Sequence, residues 1–218
     1  MTNPQDQPET EPPSAGKPHE ALTVFYERLR HSTDTAELHE FARSPLPDRS
    51  DQAAFSRFTA LLEAVAGNEH TPVEDRVYLA QTMPFPNILV KLSQDSSTEV
   101  RRAVAANKDD KNWLAGLLTK DDDAGVRAAA LTNPMTSWKM RLEGAQDERT
   151  DAETLDFLGA LGTRAEQDAP HVLAAMVRRA VALNPNTGQA TLEALSKDPD
   201  GQVARAAASR RNRSGREF

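Results

Sequence analysis

Residues 95–107 read DSSTEVRRAVAAN, and this stretch decides the fold because the chain returns to it three times. Residues 124–134 read AGVRAAALTNP, residues 177–185 read VRRAVALNP and residues 202–210 read QVARAAASR. Aligning Val100, Val126, Val177 and Val203 leaves spacings of 26, 51 and 26, the middle one close to two periods. A recurring unit of this length is the signature of a stacked repeat architecture, in which a short unit buries its apolar face only against its neighbours.

Inside each unit the small and branched residues fall at i, i+3 and i+4: Val100, Ala103, Val104, then Val126, Ala129, Ala130, then Val177, Ala180, Val181, then Val203, Ala206, Ala207. That spacing puts one apolar stripe on a short helix. Seven residues after the valine stands Asn107, Asn133 or Asn184, twice followed by proline at Pro134 and Pro185, which disfavours helical geometry in the preceding residue and ends the helix. A second short helix is expected from about Asp110, Thr136 or Thr187, residues whose side-chain oxygens suit an N-terminus. Its apolar positions include Trp113, Leu114, Leu117 and Leu118 in one copy and Trp138, Met140 and Leu142 in the next. The expectation is an all-α solenoid of short helix pairs with no sheet.

Fourteen residues after each asparagine comes an aspartate: Asp121, Asp147, Asp198. Asp95 precedes Arg101 by six residues and Asp121 precedes Arg127 by six, so each turn carboxylate is expected to meet the guanidinium of the following helix in a bidentate pair, forming a ladder along the stack. An exposed pair is worth about 0–1 kcal/mol, so such a ladder sets register, while burial between units supplies most of the stability. Glu153 and Ala204 stand where the arginine is due after Asp147 and Asp198.

The run VRRAVALNPNT from Val177, followed by Leu192, Leu195 and Asp198-Pro199-Asp200, resembles the leucine-rich repeat variant family. The resemblance implies a right-handed superhelix of alternating α- and 3₁₀-helices. HEAT-like repeats share the aspartate and Val-Arg pattern and stack helix pairs. Some members of the variant family carry a cysteine-rich iron–sulfur module; this chain has no cysteine, so no such cofactor is expected.

Residues 1–19 are rich in proline and polar residues and read as a disordered tail. Residues 20–73 carry longer amphipathic patterns with Phe25, Phe41, Phe55 and Phe58, and read as a helical cap. Residues 74–210 hold the repeats, with 147–170 a degenerate slot where the pattern fades. Residues 211–218 read as a basic tail. The formal charge of −7 divides unevenly, as −3 over residues 1–20, −8 over 21–204 and +4 over 205–218. An acidic body repels phosphate backbones, so nucleic acid is not an expected partner except through the basic C-terminal tail. Neither a signal peptide nor a membrane-spanning run is recognisable, and the expected setting is the cytoplasm.

No phosphate-binding glycine loop, nucleophile elbow or metal-binding histidine pattern occurs, so no enzyme is expected. The run Asp121, Asp122, Asp123 lacks the alternating ligands and distal glutamate of a calcium loop and reads as a solvated turn. Paired arginines recur at Arg101, Arg102 and at Arg178, Arg179; one of each pair is expected in the ladder and the other in solvent. Arg102 and Arg179, with Lys139 and Arg141, are candidate contacts for an acidic partner on one concave surface. Trp113 and Trp138, on neighbouring second helices, are either packing residues or partner anchors. The expected function is a non-enzymatic scaffold that binds another protein. The alternative is a nucleic-acid-binding HEAT-like protein, similar to alkylpurine DNA glycosylases.

Overall fold

A computed structural model describes residues 21–109 and 112–214, with side chains described to residue 212. The expected tail at 1–19 and the position of Asp110 lie outside the described residues. Thirteen helices run in chain order: α1 (Leu22–His31), α2 (Thr35–Arg43), α3 (Gln52–Ala66), α4 (Val73–Thr82), α5 (Pro86–Ser93), α6 (Thr98–Ala106), α7 (Leu114–Leu118), α8 (Ala124–Thr132), α9 (Trp138–Gln146), α10 (Ala152–Ala160), α11 (His171–Leu183), α12 (Gln189–Leu195) and α13 (Gly201–Ser214). No strand occurs among the described residues, only an isolated bridge between Leu161 and Ala165. The second helices of the units are α-helices, which differs from the 3₁₀ turns that the resemblance implies. Residues 211–214 of the expected basic tail continue α13, and 215–218 lie outside the described residues.

Helices of even number pack in one layer, α2 on α4, α4 on α6, α6 on α8, α8 on α10 and α10 on α12. Those of odd number form the other: α1 on α3, α3 on α5, α5 on α7, then α9 on α11 and α11 on α13. Lys120, just after α7, reaches Glu143 on α9 at 3.2 Å and joins the two stretches of the odd layer. Helices of five to fifteen residues are marginal alone, so this lateral burial is what fixes them.

The buried apolar residues fall into two clusters. The first runs from Leu29 on α1 to Ala130 on α8, with no break at residue 73 between the expected cap and the repeats. Stacked and edge-on phenylalanines enlarge it, with Phe41 and Phe58 rings 5.0 Å apart. The second runs from Ala145 on α9 to Ala207 on α13.

The division between α8 and α9 explains the 51-residue spacing. It is not two periods but 14 followed by 37. Met140 on α9 stands where Val177 stands on α11, and Arg141 where Arg178 stands. Asp147 and Thr150 match Asn184 and Thr187, and Thr154, Leu155 and Leu158 match Thr191, Leu192 and Leu195, every pair 37 residues apart. The α9–α10 unit is thus a full copy of α11–α12, lengthened by the loop before α11, and the degenerate slot expected at 147–170 is its second half. The repeat has slipped by one helix. Its first helices lie in the even layer at α4, α6 and α8, and in the odd layer at α9, α11 and α13.

Candidate functional site

Two polar ladders hold this arrangement, and they decide which charged residues are left for a partner. In the first, each asparagine at the end of a helix reaches sideways. Nδ2 of Asn107 donates to the carbonyl of Ala80 at 2.7 Å, Asn133 to Ala105 at 2.7 Å and Asn107 at 2.8 Å, and Asn184 to Ala145 and Asp147, both at 2.9 Å. Asn68 does the same to Leu29 and Ser32. The Oδ1 of each accepts the amide two residues on, at His70, Asp109, Met135 and Asn186. These buried amides saturate the open carbonyls at the end of the preceding helix in the layer. The threonines expected as caps turn inward instead: Thr136 and Thr187 donate to Ala130 and Val181, each at 2.6 Å.

The second ladder joins successive units rather than closing each one. Arg101 meets Asp121 of the following unit in a bidentate pair at 2.8 and 3.0 Å, and Arg178 meets Asp198 at 2.7 and 3.0 Å. Arg76 pairs with Asp95 along the stack through Nη1 alone, its Nε donating to the carbonyl of Thr71. The expected six-residue pairs are corrected: Arg101 touches Asp95 through the main-chain carbonyl at 2.8 Å, and Arg127 touches Asp121 and Asp122 likewise. The reason is local. The Asp95 and Asp121 carboxylates are already turned to accept the amides of Ser97 and Asp123. The Arg101 guanidinium holds the Asp121 carboxyl below its ordinary range.

At the slip the second ladder breaks. Asp147, the acid due to receive Arg127, occupies the asparagine position after α9 and is gripped by Arg149, which lowers its pKa to about 2. Arg127 takes the carbonyl of Arg149 instead, at 3.2 Å. The rungs resume in the odd layer with Arg141, whose guanidinium meets Glu166 at 2.7 and 2.8 Å. Glu166 sits in the left-handed region at φ 42° inside the lengthened loop.

The candidate partner residues therefore separate. Arg141 is 1% exposed, satisfies Glu166 and Asn133, and lies over the Trp138 ring at 5.0 Å, so it is not available to a partner as expected. Trp138 is half-buried against the second core. Trp113 stands out at 58% exposure. Lys139, Arg102 and Arg179 are exposed, each arginine being the solvent-facing member of its pair. They do not share one surface. Arg102 lines a groove of about 770 Å³ across α6, α8 and α10, with Lys108 nearby, Asp151 and Glu153 at the α10 side, and Phe157 and alanines in its walls. Arg179 lines a shallower groove of about 410 Å³ between α11 and α13. Matching sequence positions fall in different layers because of the one-helix slip.

The layers also differ in apolar exposure. Among the described residues, the large hydrophobics that reach solvent are Leu22 and Val24 on α1, Trp113 and Leu117 at α7, Met135 leading into α9, and Val172, Leu173, Met176 and Leu183 on α11. All belong to the odd layer or the turns that enter it. Nothing in the valine or asparagine pattern marks them, since they occupy the positions between the repeated ones. Among the described residues no cluster of His, Asp and Glu is suited to a metal, and no helix is long and apolar enough to cross a membrane.

Fold and ladders together define a two-layer, all-helical repeat protein. Residues 175–200, which contain the Val177 helix, Asn184 and the Asp198 rung, match the family described as leucine rich repeat variant, a HEAT-like helical repeat family. No curated protein and no solved structure matches the chain.

Proposed function

We propose that this protein is a non-enzymatic cytoplasmic scaffold that binds another protein through the outward face of its odd-numbered helices. The observation that carries this reading is the one-sided distribution of exposed hydrophobics, from α1 through α7 to α11. Apolar side chains exposed among polar ones on one side of a protein are what protein partners cover. The repeat architecture supports it, because stacked units present long surfaces without a deep enclosed pocket. Nucleic acid is the competing partner class, and the acidic body weighs against it.

The test is isolation of the tagged full-length protein from its native cells with and without nuclease. A stoichiometric protein that survives nuclease and is lost with Leu117→Asp or Met176→Asp, but kept with Arg102→Glu in the even layer, is the expected result. Loss of all bound material on nuclease treatment, or a turnover activity abolished by one substitution, contradicts the reading.

A further inference from the structure

Helix α11 is the middle member of three parallel neighbours, α9, α11 and α13. Among its exposed positions, Val172 (69%), Met176 (47%), Arg179 and Leu183 (54%) are spaced four, three and four residues apart, so they form one stripe about 16 Å long over three turns. The repeat offsets place polar residues beside it: Lys139 and Gln202 flank Met176, and Gln146 and Ser209 flank Leu183. These four flanking positions are all exposed. The stripe is therefore flanked by polar groups at Met176 and Leu183, while Met135 (40%) and Leu173 (39%) lie beside Val172 and widen its apolar start.

The charge on this face is mainly positive. Neither α11 nor α13 contains an Asp or Glu. Arg179 and Arg205 line the groove between the two helices, and Lys139 stands across the stripe from Gln202. Among the described residues none of these three cations has a carboxylate within ion-pair distance, whereas Glu143, the acid on α9, is held by Lys120.

We infer that the α11 stripe is the docking site for a partner helix of about three turns, apolar at i, i+3 or i+4 and i+7, and flanked by Asp or Glu. This rests on the protein-binding reading above and names where on the surface, and to what chemistry, the binding occurs. A helix laid along a groove meets an i, i+4, i+7, i+11 row with a row of its own, and the flexible Met176 thioether adapts to the side chain it receives. Acidic flanks satisfy Arg179, Arg205 and Lys139 together. A second copy of this chain does not fit, since two-fold pairing of the same stripe gathers Arg179, Arg205 and Lys139 of both copies into one interface to which α11 and α13 bring no carboxylate.

The experiment is selection from a displayed library of 18-residue helical peptides on the full-length protein, followed by affinity measurement on the wild type and on Met176→Asp, Arg179→Glu and Arg102→Glu. The three positions are exposed, and thermal melting checks that the variants stay folded. The expected result is enrichment of acidic amphipathic peptides that bind Met176→Asp and Arg179→Glu at least ten-fold more weakly, with Arg102→Glu unchanged and basic-flanked versions of the same peptides failing to bind. Peptides that bind well but ignore Met176→Asp overturn this site while leaving the scaffold reading intact. An absence of specific peptides, together with binding to DNA or anionic vesicles that Met176→Asp removes, overturns both.

Discussion

The halves on either side of the α8–α9 junction use one repeat in two ways. From α1 to α8 the interior is filled by leucines and phenylalanines, and the Arg101–Asp121 rung stays partly open, with side chains 17% and 9% exposed. From α9 to α13 the interior is alanine, leucine and valine, with no buried aromatic among the described residues, and the largest fully buried side chains are Arg141 and Arg178. Arg178 and Asp198 are 1% and 3% exposed. Arg76 and Asp95, also in the first half, are 9% and 5% exposed, so the rungs of the stack range from partly wet to fully enclosed. A rung that keeps contact with water sets register, and an enclosed one also carries stability.

The largest effects should show whether the halves unfold separately. Val126 and Val177 are both fully buried, and placing an unpaired carboxylate at either site should cost about 4 kcal/mol or more. Val126→Asp should disrupt the half reported by Trp113 first, and Val177→Asp the half reported by Trp138, when each tryptophan is kept singly and its fluorescence followed in urea. Asp122→Ala, in the exposed turn, should stay within about 0.5 kcal/mol of wild type.

The equivalent rungs give a sharper contrast. Asp198→Ala leaves the Arg178 guanidinium buried without its carboxylate and should cost about 3–5 kcal/mol, whereas Asp121→Ala should cost about 1–2 kcal/mol because Arg101 reaches water. Equal losses in chemical denaturation would mean that burial of the rung does not distinguish the halves.

At the junction, a Cβ on Gly144 would stand 2.2 Å from Leu131 Cδ2, and Leu131 is itself 1% exposed. Gly144→Ala should cost about 1–3 kcal/mol and separate the two tryptophan-reported transitions further.

The smallest effect is with pH. Asp147 is held at about 2 in the folded chain against an ordinary 3.8, so its contribution is present above that ordinary value and is lost as pH falls through about 2. Acid should therefore loosen the junction between about pH 4 and 2. Arg149→Ala, which frees the carboxylate, should flatten the acid limb of a stability–pH curve.

How much of this was legible in the sequence differs residue by residue. Val100, Val126, Val177 and Val203 announced the repeat, and the paired arginines correctly predicted one inward and one outward member. The slip is hidden because Met140 and Asp147 stand in the valine and asparagine positions of α9, so the recurring phrase skips from Val126 to Val177. The signal was nevertheless present in Asp147 with Thr150 and in Thr154-Leu155, which repeat at Asn184, Thr187 and Thr191-Leu192. The sideways bonds of the asparagines were not legible, since their partners lie 26–39 residues back in the chain and follow only from the stacking. The ladder pairs one unit further along than the spacing predicts, because a six-residue spacing along one helix start does not say which oxygen of the aspartate is free. The α11 stripe leaves no mark for a different reason: repeat patterns mark buried positions, and a docking surface is built from the positions between them.

The claim on which the rest depends is that α11 stacks on α9 and not in the layer of α8. The chain has no cysteine, so paired cysteines can be placed at Lys139 and Met176, equivalent positions on α9 and α11, and separately at Gly125 and Met176, equivalent positions if the 51-residue spacing were two periods. Neighbouring helices lie about 8–10 Å apart, so a bismaleimide of matching reach should link the first pair rapidly and leave the second unlinked. Failure of the Lys139 pair to link would contradict the one-helix slip and the surfaces derived from it, and the Gly125 pair, two units apart even in an unslipped stack, serves as the control.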